Sequence, residues 1–187
     1  MPPKKQSSAS LFAAVQDVPL AEKLRPKSLD EVIGQEHLTG PDGVLTRMVA
    51  SAKLQSMILW GPPGCGKTTI ARLLASAAGY VLEPVSAVAS GVADLKQHFE
   101  TARERALAGK RTALFIDEVH RFNRAQQDSF LPVMEDGTVV LVGATTENPS
   151  FELNAALLSR ARVLVFRSLD AEAVGKLLSR AEEIEGK

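Results

Sequence analysis

Residues 61–68 read Gly61-Pro62-Pro63-Gly64-Cys65-Gly66-Lys67-Thr68. Glycines at these positions let the main chain turn its N–H groups inward, and such a turn is a cradle for phosphate oxygens. Lys67 adds a point charge for the β- and γ-phosphates, and the Thr68 hydroxyl is a ligand for Mg2+. A helix starting here aims its positive end at the same place, with Thr69 in its first turn. By average residue usage the pattern arises by chance in roughly a few per thousand chains of this size. It predicts binding of a nucleoside triphosphate with Mg2+. Cys65 inside the loop is read as a bystander rather than a redox centre.

About fifty residues downstream, Ala113-Leu114-Phe115-Ile116 is followed by Asp117-Glu118. Carboxylates at the end of a buried strand can lie beside a phosphate loop in a parallel sheet. Asp117 is then the residue that holds Mg2+ through water, and Glu118 the base that orients and deprotonates the attacking water. His120 comes next but one, yet no second His or Cys stands at metal-ligand spacing, so loop packing or a partner contact is expected of it. A later apolar run ends in Gly143-Ala144-Thr145-Thr146. Thr146 is the candidate for a hydrogen bond to the γ-phosphate or the attacking water. Arg160 and Arg162 precede the last apolar run. They are either solvated surface charge or an arginine finger for a neighbouring subunit's nucleotide, and spacing alone does not decide.

Five apolar runs supply the strands that must hold these residues: Met57–Trp60, Tyr80–Leu82, Ala113–Ile116, Val139–Val142 and Val163–Phe166. They are continuous rather than alternating, the pattern of strands covered by helices on both faces. Between them lie helical stretches. Thr68–Ala78 aligns Ile70, Leu73, Leu74 and Ala77, and Val92–Ala108 aligns Leu95, Phe99, Ala102 and Ala106. A third starts after Asn123, capped by it and by Gln126 reaching back, and Pro132 is expected to kink or end it early. A short helix is also expected around Val44–Val49. The fold class is therefore α/β: a P-loop NTPase with a parallel five-stranded sheet flanked by helices.

The 187 residues carry 22 basic and 22 acidic side chains, so bulk charge does not advertise nucleic-acid binding. A single cysteine favours a reducing compartment, and no apolar run is long enough to span a membrane. Residues 1–17 read as a mobile tail whose apolar stretch is too short for a signal core. Residues 18–167 read as the nucleotide-binding domain. From Asp170 an amphipathic pattern with Ala173, Val174, Leu177, Leu178 and Ala181 reads as the opening of a truncated helical lid over residues 168–187.

Taken in order, these features resemble the AAA+ ATPase module. Pro19–Pro26 and Leu29–His37 are similar to the segment by which clamp-loader AAA+ proteins hold adenine. The resemblance thereby implies base contacts from Arg25, Ile33 and Gly34. Two runs, Asp117–Asp128 and Gly143–Asn154, closely resemble the replication-associated recombination protein A family (RarA, also called MgsA), relatives of the Werner-helicase-interacting ATPase. The family implies a DNA-dependent ATPase acting at stalled or damaged forks and in recombination. It is an oligomer, typically a tetramer, on single-stranded or fork DNA near single-strand-binding protein, in the bacterial cytoplasm at the nucleoid. Clamp-loader relatives carry Ser-Arg-Cys with the finger arginine. Ser159-Arg160-Ala161 matches its first two residues, which favours Arg160 as the finger with Arg162 as the fallback.

Family members continue into a lid bearing a second sensor arginine and an oligomerisation domain. A chain lacking these is expected to bind ATP but hydrolyse it very slowly. Gln6–Phe12 faintly resembles sliding-clamp-binding peptides, though an inert tail is the stronger reading. A Holliday-junction branch-migration ATPase, and a scaffold in which ATP binding rather than turnover is the event, are the alternative functions.

Overall fold

The computed structural model describes residues 19–186. The expected tail, with its clamp-peptide resemblance at Gln6–Phe12, lies outside the described residues. Five strands form one parallel sheet: β1 (Met57–Trp60), β2 (Tyr80–Ser86), β3 (Arg111–Asp117), β4 (Val139–Thr145) and β5 (Arg162–Val165). Their spatial order is β2-β3-β4-β1-β5. Every pairing is parallel, with Trp60 opposite Thr145 and Ile116 opposite Gly143.

Alternation of side chains along each strand divides the interior into two cores. Met57 and Leu59, Ala113 and Phe115, and Val142 and Ala144 face one layer, where Ile70 and Leu74 of the helix Lys67–Ala77 cover them. Ile58, Leu114, Ile116, Val139 and Leu141 face the other, packed by Leu95 and Phe99 of Val92–Leu107 and by Phe130 of Arg124–Glu135. Burial on both sides is why the central strands read as unbroken apolar runs. The last strand departs from that expectation. It lies at the sheet edge, where Leu164 is buried but Val163 and Val165 are 38% and 52% exposed.

The helix Arg124–Glu135 begins as expected. Asn123 accepts from the Gln126 N–H at 2.9 Å, and the Gln126 side chain accepts from the Asn123 N–H at 2.8 Å. It does not stop at Pro132 but runs on to Glu135. The next turn closes through the Pro132 carbonyl, which accepts from the Asp136 N–H. Two alanines expected to face the core, Ala77 and Ala106, are exposed instead.

The helix Ala171–Glu185 is capped by Asp170, which accepts from the Ala173 N–H at 2.8 Å. It lies back over the N-terminal segment, joined to it by ion pairs Arg180–Glu31 at 2.6 Å and Lys23–Glu185 at 3.5 Å. Among the described residues no helix is long and apolar enough to cross a membrane.

Candidate functional site

The chain leaves β1 at Trp60, and the Gly61 N–H donates to the Thr145 carbonyl, which fixes where the loop begins. Gly64 (φ 76°) and Gly66 (φ 95°) then take left-handed conformations that an L side chain would strain. Those two turns redirect the main chain into the helix Lys67–Ala77, whose N-terminal residues face the same cavity. The Lys67 side chain is only 8% exposed. Its ammonium donates to the carbonyls of Gly61 and Pro62, each at 2.8 Å, and stands 3.8 Å from Cys65 Sγ.

A cavity of about 350 Å3 brings the sequence candidates together: Pro63, Gly64, Gly66, Lys67, Thr68 and Thr69 on one side, Asp117, Glu118 and Thr146 on the other. The strand order does this, because β4 sits between β1 and β3. The end of β4 therefore lies between the loop after β1 and the carboxylates at the end of β3, at the carboxyl ends of the strands. Thr68 and Asp117 are hard oxygen donors lining one space. Among the described residues no cluster of three or more His, Cys, Asp or Glu could hold a metal on its own. A threonine hydroxyl, and a carboxylate acting through water, completed by further water and phosphate oxygens, form a donor set that suits Mg2+.

Glu118 has φ 54° and ψ 47°, one of only two non-glycine residues with positive φ among those described. A carboxylate side chain held in a left-handed turn stores about 1–2 kcal/mol of strain. The next four residues enforce the strain. Val119 and Phe122 are buried in the second core, with Phe122 5.6 Å from the Phe130 ring, and the one-turn segment Val119–Arg121 is thereby fixed. His120 points back from that turn, with Nε2 3.3 Å from Glu118 Oε2 and Nδ1 2.8 Å from Thr145 Oγ1. Sequence reading expects loop packing or a partner contact of it; within its own chain it makes these two polar contacts.

A second cavity of about 120 Å3 adjoins the loop at Gly64, Cys65, Gly66 and Thr69. Its outer wall is Leu24, Pro26, Val32 and Ile33 from the N-terminal segment, with Leu169, Leu177 and Arg180 from the last helix and its approach. Ile33 is part of that wall. Gly34 lies behind the wall: it has φ 83°, and a Cβ there would meet Leu169 Cδ2 at 2.6 Å. Arg25 is not in the lining, and its guanidinium pairs with Glu22 at 3.0 Å. The Arg180 guanidinium beside Glu31, aided by the Lys27 N–H, holds the Glu31 carboxyl below the usual carboxylate range. Leu177 appeared in the sequence only as one apolar position of a lid helix, and Arg180 carried no signal at all.

Gln35 is another residue that sequence reasoning passed over. Fully buried, it donates to the carbonyls of Cys65 and Arg167 and accepts from the Arg167 N–H. The arginine pair lies elsewhere. Arg160 is exposed and bonds Glu135 of the neighbouring helix, with Nε 2.6 Å from Oε1. Arg162 enters β5, its N–H on the Ser56 carbonyl. Neither lines the phosphate cavity of its own chain.

Comparison with known proteins fits this geometry. Residues 57–169 match the family described as "ATPase family associated with various cellular activities (AAA)". Over 165 residues the chain is 54% identical to replication-associated recombination protein A of Escherichia coli (strain K12), an alignment covering 88% of this chain and 37% of that protein. It is 47% identical over 180 residues to ATPase WRNIP1 of Dictyostelium discoideum, covering 96% of this chain and 20% of that one. Among solved structures, the Thermotoga maritima RuvB Holliday junction branch migration motor superposes with a TM-score of 0.72 at 31% identity, covering 87% of this chain and 55% of that one. The chain spans 37% of the length of the bacterial relative.

Proposed function

The chain belongs to the AAA ATPase family, and on that footing we propose that it binds ATP with Mg2+ and hydrolyses it in the service of DNA replication, repair and recombination. One observation carries this reading. The phosphate loop, the Asp117–Glu118 pair and Thr146 line a single cavity although they come from three separate strands.

The residues divide the work. Loop N–H groups and the helix end at Lys67 take the phosphates, and Lys67 exchanges its two carbonyl partners for β- and γ-phosphate oxygens. The adjoining apolar cavity at Ile33, Leu169 and Leu177 takes the base. Thr68, and Asp117 through water, would hold Mg2+, which would supply charge neutralisation at the phosphates. Glu118 accepts a proton from a water whose oxygen attacks the γ-phosphorus, and the bond from that phosphorus to the β-phosphate oxygen breaks, leaving ADP and phosphate. Thr146 holds the attacking water or a γ-oxygen. Arg160, remote from its own cavity, acts on the neighbouring subunit's nucleotide in a homo-oligomer. Such a finger is worth about 10³–10⁵ in rate.

The similarity to replication-associated recombination protein A supports single-stranded or fork DNA as the effector, with single-strand-binding protein nearby and a tetramer as the working assembly. The RuvB-like fold supports a second reading, branch migration at four-way junctions, but the identity there is 31% against 54%. The test is ATP turnover by the wild type and Glu118→Gln with no DNA, forked DNA or a four-way junction. The reading expects fork stimulation of the wild type, retained ATP binding by the variant, and loss of its turnover. Equal turnover by the two proteins overturns the hydrolytic assignment. Full retention of DNA-linked function by Glu118→Gln makes the protein a nucleotide-gated scaffold.

A further inference from the structure

Resting on the reading of Glu118 as the base, we propose that His120 is a positioning residue. It holds the Glu118 carboxylate in its working orientation and ties it to the end of β4 through Thr145. Neither His120 nor Thr145 is in the lining of the phosphate cavity.

With a neutral imidazole, the hydrogen count along the contacts gives each bond one consistent direction. The Glu118 carboxylate, when ionised, can only accept, so the imidazole nitrogen 3.3 Å from it, Nε2, carries the proton. In a neutral imidazole Nδ1 is then an acceptor, and the group 2.8 Å away that can donate to it is the Thr145 hydroxyl. Thr145 Oγ1 has one proton to give. The other acceptor within reach, the Glu147 carbonyl, is farther at 3.4 Å. The lone pairs of Oγ1 meanwhile accept from the Glu147 N–H at 3.0 Å. The chain then runs Glu147 N–H to Thr145 Oγ1 and Thr145 O–H to His120 Nδ1, and it leaves His120 Nε2–H to face Glu118 Oε2 across 3.3 Å.

Burial gives this chain rigidity. Thr145 is fully buried at the end of β4, and the turn carrying His120 is pinned by Val119 and Phe122, 1% and 3% exposed. Glu118 is the soft member, with a side chain 37% exposed against 16% for His120. A carboxylate on a left-handed turn with one side open to solvent needs a fixed donor to keep one orientation. His120 is that donor. Thr146, which lines the phosphate cavity, directly follows Thr145, so a contact made there shifts the residue that orients the imidazole.

The experiment compares His120→Ala, His120→Gln, His120→Asn and Thr145→Val in the full chain, using single-turnover hydrolysis and a fluorescent-ATP titration. A Gln amide nitrogen reaches the place of Nε2 and can still donate to Glu118. An Asn amide overlaps only Nδ1. His120→Ala is expected to lower the hydrolysis rate by about 10- to 100-fold with ATP affinity within about twofold. His120→Gln should recover most of the loss, His120→Asn should not, and Thr145→Val should resemble His120→Ala. An unchanged rate in His120→Ala, or His120→Asn equal to His120→Gln, overturns the proposal. Side-chain 15N spectra, in a chain with three histidines, give a readout that needs no turnover. They should show a proton on His120 Nε2, and a Nδ1 shift in Thr145→Val. A proton on Nδ1, or averaging between tautomers, counts against it. If Glu118→Gln hydrolyses ATP like the wild type while the tautomer is as stated, the ATPase reading fails and the hydrogen-bond chain stands.

Discussion

Gln35 and Arg167, 132 residues apart in sequence, exchange two hydrogen bonds as paired strand residues do: Gln35 Nε2 donates to the Arg167 carbonyl at 2.8 Å, and the Arg167 N–H donates to Gln35 Oε1 at 3.0 Å. The same amide reaches the Cys65 carbonyl at 3.3 Å, so one buried side chain joins the N-terminal segment, the phosphate loop and the approach to the last helix.

Replacing Gln35 with Ala leaves three main-chain groups short of a partner. Urea unfolding should show a loss of about 2–4 kcal/mol, and ATP affinity should fall with it. A stability within about 0.5 kcal/mol of wild type would mean that water replaces the amide freely and that the junction is not held by it.

Lys67→Ala removes the one ammonium among the described residues lining the phosphate cavity. A charge-assisted hydrogen bond is worth about 1.5–3 kcal/mol, so ATP affinity should drop roughly 10- to 100-fold. Melting curves with and without ATP and Mg2+ check this. The variant should lose most of the ligand-induced rise in Tm, and an undiminished rise would show that the nucleotide binds elsewhere.

Glu118→Gly should separate stability from activity. Glycine adopts φ 54° without strain, so the folded protein should gain up to about 1 kcal/mol while turnover disappears. Chemical denaturation measures the gain. A loss of stability would show that the Glu118 side chain contributes more to the fold than its backbone costs.

Arg160 and Glu118 should complement each other between subunits. The Arg160–Glu135 pair is exposed and worth no more than about 1 kcal/mol, so an incoming nucleotide can take the guanidinium cheaply. Arg160→Ala and Glu118→Gln should each be inactive in the working assembly. A mixture should regain part of the turnover, because some interfaces pair an intact Arg160 with an intact Glu118. No recovery at any mixing ratio argues for a finger acting within its own chain.

The Arg180–Glu31 pair predicts a pH dependence. The Glu31 carboxyl is lowered from its ordinary 4.5 by the Arg180 hydrogen bond first and the Lys27 N–H second. Its contribution is thus complete above the unfolded value and is lost as pH falls through the lowered folded one. Hydrogen exchange across Ala171–Glu185 should be protected near neutral pH and quicken relative to the core in acid below that value. Glu31→Gln should exchange fast at both. Equal protection of the variant and the wild type near neutrality would remove this pair as a holder of the helix.

How much was legible in the sequence differs between the sheet and the site. Apolar runs in Met57–Trp60 and Ala113–Ile116 announced strands because Met57, Ile58 and Leu59, and all four residues of the second run, face one of two cores. Val163 and Val165 carry the same signal at a sheet edge where they stay 38% and 52% exposed, since composition does not record a strand's place in the order. Pro132 reads as a stop, yet the amphipathic face with Phe130 and Val133 keeps the helix intact through it. Packing outweighed local preference there.

The phosphate loop was set by the sequence itself, because its glycine φ values, its lysine and the helix behind it are consecutive and need only local geometry. The Asp117–Glu118 pair and Thr146 were legible as strand-end polar residues, but the cavity they share exists only because β4 comes to lie between β1 and β3. Likewise the wall of the second cavity joins residues 24–33 to 169–180, and the His120–Thr145 bond spans 25 positions. Contacts across such separations leave no periodicity in the chain. They are selected by which surfaces bury each other when the whole domain folds.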